Sequence, residues 1–218
     1  MKPSTIKNLI KNTYDRKSDN IDGYEIDPEL SGKRVSVYHN KENGKTVVSH
    51  RGTSGAADWL NNLAYGVGRY DKTKRLKHAK NIQKQAEDKY GTDNLYNLGH
   101  SQSGIINRKV AKNAKASINV NPASMYEKKR KNEINIRTQY DPVSAMNNNI
   151  DIQTKSKNIF DVLGNHSVDN LDNIDDNKLI GAGIKKENPW IKFVKTYASK
   201  NNISYKEALP LCSKLYKK

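Results

Sequence analysis

Ser101, Asp141 and His166 are the residues whose types, order and settings point to chemistry. A serine hydroxyl is a poor nucleophile near neutral pH until an imidazole takes its proton. The imidazole in turn needs a carboxylate to hold its tautomer and balance the charge it gains. Ser101 lies in Asn97-Leu98-Gly99-His100-Ser101-Gln102-Ser103-Gly104. Asp93 to Tyr96 ahead of it reads as a short strand, and Ile105 to Ala114 after it reads as a helix. Small residues on both sides suit a sharp strand-to-helix turn, which lifts the hydroxyl clear beside a helix N-terminus. The pattern is almost Gly-x-Ser-x-Gly, but Ser103 stands where the second glycine usually sits, so some crowding is expected there.

Two later segments offer the partners. Ile134 to Val143 reads as a strand ending in an acid, because Pro142 cannot continue a central strand and leaves Asp141 at or just past the carboxyl end. Leu163-Gly164-Asn165-His166-Ser167 places a histidine in a loop. Each residue also has a plainer reading: Ser101 as a helix N-cap, Asp141 as a turn residue before proline, His166 as a loop histidine without a role. His50 is expected to pack or hydrogen-bond in the core, and His100 to support the turn.

The elements that must hold these residues alternate between strands and helices, which predicts an α/β fold. Val35 to His39 and Thr46 to His50 read as an antiparallel hairpin closed by a loop containing Asn43-Gly44. Leu76, Ala79, Ile82, Ala86 and Tyr90 recur at helical spacing up to Gly91. Ser117 to Ala123 reads as a further strand, with less apolar bulk. Residues 1–20 read as a short polar helix and a linker. Trp59 to Gly68 reads either as an ordinary helix or as a mobile cover, and Asp58 and Trp59 read either as pinning the loop before it or as a plain helix start.

The strand ending Arg51-Gly52-Thr53, the Gly-His-Ser at 99–101, the Asp-Pro-Val at 141–143 and the late His166 come in the order seen in the class 3 lipase family, and the chain resembles that family from about Val35 to His166. The resemblance implies an α/β-hydrolase-type sheet flanked by helices and an enzyme that cleaves carboxylic esters of lipids. It further implies Ser101 as nucleophile, Asp141 as orienting acid and His166 as base, with the backbone N–H groups of Thr53 and Gln102 forming an oxyanion hole. Losing one such donor typically costs roughly 3–4 kcal/mol of barrier. No cofactor and no metal are implied.

Composition bounds the rest. The 218 residues suit one domain, 1–180, with an appendage, 181–218, and the apolar fraction of 34% predicts a small core under a heavily charged surface. No run approaches the roughly 20 apolar residues of a membrane span, and no secretory signal is read at Met1 to Ile10. One cysteine, Cys212, excludes an intramolecular disulfide and favours a reducing compartment. After a glycine-bearing linker at 181–186, two short helices are expected. Pro189 starts the first, and Ser204 with Glu207 forms a capping box on the second. Trp190, Phe193, Val194 and Tyr197 would face Ala208, Leu211, Cys212 and Leu215. This module resembles segments at the ends of proteins of large DNA viruses and their satellites, which implies a location in the virion or the host cytoplasm. The formal charge of +16 draws the chain toward polyanions. The lipase resemblance implies a lipid ester as substrate, and the charge adds an anionic membrane surface and nucleic acid or a virion protein touching residues 188–218 as expected partners. A catalytically weak virion protein that keeps the fold is the alternative.

Overall fold

The computed structural model describes residues 1–53, 73–123, 128–145, 147–156, 158, 160–175, 179 and 189–215. The loop residues Asp58 and Trp59, the Trp59 to Gly68 segment and the 181–186 linker lie outside them. The described residues form an α/β fold built on one eight-stranded mixed sheet whose strands lie in chain order. Its strands are β1 (Asn20–Ile21), β2 (Tyr24–Ile26), β3 (Val35–Asn40), β4 (Lys45–His50), β5 (Leu95–His100), β6 (Ala116–Val120), β7 (Glu133–Thr138) and β8 (Ile152–Thr154). β1 to β4 pair antiparallel, including the expected β3–β4 hairpin, and β4 to β8 pair parallel. The carboxyl ends of β4 to β7 therefore share one edge, and they carry Thr53, Ser101, Asn121 and Asp141 just beyond them.

Two helical layers cover the sheet. Helix α1 (Pro3–Asp15) covers one face. The helix expected in residues 1–20 is present, but it is not simply polar. Ile6, Leu9 and Ile10 form a stripe at helical spacing, are fully buried, and join Tyr38, Val47, Leu98 and Ile118 in the main core. Val168 and Leu171, from a 3₁₀ helix over Val168–Asn173, extend that core. The opposite face carries α2 (Lys74–Tyr90), closed by Gly91, and α3 (Ser103–Val110). Here Ile82 and Ala86 meet Val35, Val37, Val48 and Leu95, while Leu76 and Ala79 meet Ile106 and Val110.

Much of this second face is polar. Asn97 donates to Gln83 at 2.7 Å, and Asn107, Asn119 and Asn135 form a chain of amide hydrogen bonds at 2.9 Å each. Arg108 and Glu133 make a fully buried ion pair beside it. Buried polar groups are tolerated when they pair with one another, which explains how strands with so little apolar bulk remain inside. The later strands are shorter than the sequence suggests: β6 ends at Val120 and β7 at Thr138, three residues before Asp141.

His166 closes a short helix, α4 (Val162–His166), rather than sitting in an open loop. At the end of the chain, α5 (Pro189–Lys200) and α6 (Tyr205–Leu215) pack together around Val194, Ala198, Ala208 and Cys212. The capping box is present: the Glu207 N–H donates to Ser204 Oγ at 3.2 Å, and the Ser204 N–H donates to the Glu207 carboxylate at 2.8 Å. Leu211 and Leu215, expected on the inner face, are exposed instead. Ala208 and Cys212, one helical turn apart, already fill the small contact with α5. Among the described residues no helix is long and apolar enough to cross a membrane.

Candidate active site

Ser101 sits where β5 turns into α3, with φ at +60°. Left-handed backbone costs a non-glycine residue about 1–2 kcal/mol, so the surroundings must hold it. The Ser101 N–H donates to Val120 O, and its carbonyl accepts from the N–H groups of Gly104 and Ala123, all at 3.1 Å. Ser103 produces no crowding. Its buried hydroxyl accepts the His100 N–H at 2.7 Å and donates back to the His100 carbonyl at 2.8 Å, stapling the turn. The close-packing glycine is one residue further on: a Cβ at Gly104 would stand 2.7 Å from Pro122 Cβ.

Two neighbouring strand ends show the same strain. Asn121 follows β6 with φ +47°, and Tyr140 follows β7 with φ +62°. Three adjacent parallel strands thus end in forced left-handed residues along one edge, and such outliers cluster at functional sites.

Asp141 is 1% exposed, and the described partners of its carboxylate are donors. Its Oδ1 accepts the Val143 N–H at 3.2 Å and faces His166 Nδ1 at 2.9 Å. Its Oδ2 accepts the Ser144 N–H at 3.0 Å and the Ser144 hydroxyl. A carboxylate only accepts, so Nδ1 of His166 carries a hydrogen, and in the neutral imidazole Nε2 then keeps its lone pair. That is the tautomer a general base requires.

The turn bearing His166 is held from several sides. Asp161 caps α4 through the Gly164 N–H at 2.8 Å, and Asn170 donates to Gly164 O at 2.7 Å. Asn121 uses both ends of its amide. Its nitrogen donates to Asn165 O at 3.2 Å, and its oxygen accepts the Thr138 N–H at 2.7 Å, tying the histidine turn to β7.

His100 links the two halves of the site. Its ring lies 4.7 Å from the His166 ring, centroid to centroid, and its Nε2 is 2.7 Å from the His166 carbonyl. Only an N–H can bond to a carbonyl, so Nδ1 is an acceptor and the hydroxyl of Tyr14, 3.0 Å away, donates to it. The same Tyr14 oxygen accepts the Gly52 N–H at 2.8 Å. Burial, and then the neighbouring His166, push the His100 pKa down to about 3, and burial pushes Tyr14 up to about 12. Both groups stay neutral, as this chain of donors requires.

Gly52 allows the loop after β4 to approach closely, since a Cβ there would stand 2.7 Å from His100 O and 3.3 Å from Ser101 Cβ. Thr53 and Gln102, the two expected oxyanion donors, are joined by a hydrogen bond from Thr53 Oγ1 to Gln102 Oε1 at 2.8 Å. Arg75 donates to the same Oε1 at 2.7 Å and also to Arg51 O. Four of the five residues singled out by sequence therefore fall into two bonded pairs, Asp141–His166 and Thr53–Gln102. Ser101 lies directly before Gln102 and directly after His100, whose ring neighbours that of His166.

Tyr14, Arg75, Asn121 and Ser144 were not anticipated. Asn121-Pro122 after a strand is a turn signal that could have marked the first strained asparagine. Tyr14 continues the Ile6, Leu9, Ile10 stripe of α1 and so was findable as an inward residue. Among the described residues no cluster of three or more His, Cys, Asp or Glu side chains is placed to hold a metal ion. Compared with known proteins, the chain matches no family model, no curated protein and no solved structure.

Proposed function

We propose that this chain is a serine ester hydrolase of the α/β-hydrolase type, similar to class 3 lipases, acting on lipid esters. The observation that carries the proposal is the buried Asp141 carboxylate engaging His166 Nδ1 on the edge where Ser101 is held at φ +60°. Ser101 Oγ attacks the ester carbonyl carbon while His166 Nε2 takes the hydroxyl proton. The Thr53 and Gln102 N–H groups stabilise the resulting oxyanion. The C–O bond to the alcohol then breaks, and His166 returns its proton to that alcohol. Water, deprotonated by the same nitrogen, releases the acid from Ser101.

A lipid substrate is supported by the segment that carries His166. Phe160 is 84% exposed and Leu163 66% exposed, large apolar side chains that water does not favour and an acyl surface would cover. The net charge of +16 adds attraction to anionic headgroups. Hydrolysis of p-nitrophenyl butyrate and of an acylglycerol emulsion, by the wild type and Ser101→Ala, tests the proposal. Turnover of both by the wild type alone supports it, and equal turnover by Ser101→Ala overturns it. Phe160→Ser with Leu163→Ser should slow the emulsion reaction and spare the soluble ester.

A second reading concerns α5 and α6, which share a small core of their own and expose Lys200, Lys206 and Lys214. This module would hold the chain to nucleic acid or to a virion protein, with or without activity in the rest. Loss of DNA retention on removing residues 188–218 from the full chain would favour it.

A further inference from the structure

A cavity of about 430 Å³ opens on the α2 and α3 side of the sheet, lined among the described residues by Arg34, Val35, His50, Lys74, Arg75, His78, Ala79 and Ile106. Five of these eight side chains are basic and none is acidic. Val35, Ala79 and Ile106 give it an apolar floor, and Arg34, Lys74 and His78 are exposed around it.

Its charge works against its own helix. Lys74 and Arg75 occupy the first turn of α2, which holds no acidic residue. The N-terminal end of a helix already carries a partial positive charge, and cations placed there are destabilising unless an anion accompanies them. Thr73 caps the helix through the Leu76 N–H at 3.2 Å.

His50 supplies an independent sign. It is 2% exposed, it forms part of the lining, and its Nε2 has no hydrogen-bond partner. A buried polar nitrogen left without a partner costs about 1–3 kcal/mol, so such atoms mark a place where something else binds. Burial, followed by the neighbouring Arg75 and His78, pushes the imidazole down to about 3.

We infer that this cavity is a binding site for a phosphate monoester carried on a short apolar stem. A phosphate offers three acceptor oxygens and close to two negative charges, which suits several converging cations better than a carboxylate does. The stem would lie on Val35, Ala79 and Ile106. Arg75 gives the site a route to the candidate active site, because its guanidinium already bonds Gln102 Oε1 and Arg51 O. The site does not depend on the hydrolase proposal and stands or falls separately.

Calorimetric titration of the full chain with hexyl phosphate, hexanoate and hexanol tests this. The result expected is saturable one-to-one binding of hexyl phosphate, weaker binding of hexanoate and none of hexanol. The charge-removing double variant Arg34→Gln, Lys74→Gln should bind hexyl phosphate roughly tenfold more weakly while its ester hydrolysis is unchanged. The His50 imidazole resonances should shift on titration in the wild type. Equal binding of hexanoate would overturn the assignment to phosphate. Failure of hexyl phosphate to saturate, binding unchanged in the folded double variant, or a silent His50 would overturn the site.

Discussion

The Tyr14 hydroxyl lies 3.0 Å from His100 Nδ1 and accepts the Gly52 N–H at 2.8 Å, so one side chain of the first helix joins the loop after β4 to the residue before Ser101. His100 passes the connection on to the His166 carbonyl. Tyr14→Phe keeps the ring and removes only the oxygen, leaving two buried polar groups unpaired at about 1–3 kcal/mol each. Urea denaturation should show a loss of that order. The rate of Ser101 acylation should fall at least about tenfold, because the proposed base, His166, and the proposed oxyanion loop lose their common anchor.

Asp141→Asn tests the tautomer. An amide can present N–H to His166 Nδ1 and so favour the form with hydrogen on Nε2, which cannot accept a proton from serine. Ester turnover should drop about a thousandfold or more while His166 stays in place. A variant with near-normal turnover would show that Asp141 only braces the turn through Val143 and Ser144.

The two central histidines predict acid sensitivity. His50 and His100 both have pKa values pushed down to about 3 by burial, against about 6.5 in an unfolded chain. Between these values the unfolded state binds more protons than the folded one, so stability rises with pH there and is lost as pH falls from 6.5 toward 3. Each histidine contributes a slope of about 1.4 kcal/mol per pH unit in that window. Denaturation at several pH values should show this, and His50→Leu should flatten the slope by about half.

Ser103 and Gly104 should respond in opposite ways from what the usual Gly-x-Ser-x-Gly spacing suggests. Ser103→Ala loses two hydrogen bonds to the His100 backbone and should cost about 1–2 kcal/mol, so Ser103 is a support rather than a defect. Gly104→Ala drives a methyl group into Pro122 and should cost about 1–3 kcal/mol. Thermal melts of the two variants check both.

The strand-turn-helix around Ser101 was legible because its signals are local: small residues at the turn, an apolar strand before it and an amphipathic helix after it. The β3–β4 hairpin and the capping box at Ser204 were legible for the same reason. The partner of Tyr14 was not, since it is 86 residues away and the helical spacing that turns Tyr14 inward does not announce a contact with His100. The lysines of α1 also masked its buried stripe. Asn119 and Asn135 read as weak strand positions, yet they are fully buried, because their amides satisfy one another in a way that apolar periodicity does not register. Leu211 and Leu215 failed in the other direction: helical spacing marks a face but not how far the partner helix covers it.

Labelling with a fluorophosphonate probe reads whether Ser101 is an activated nucleophile. One covalent adduct is expected on the wild type, none on Ser101→Ala, and strongly slowed labelling on His166→Ala, with all three proteins folded. A folded wild type that takes no label, or label that persists on Ser101→Ala, would contradict that role.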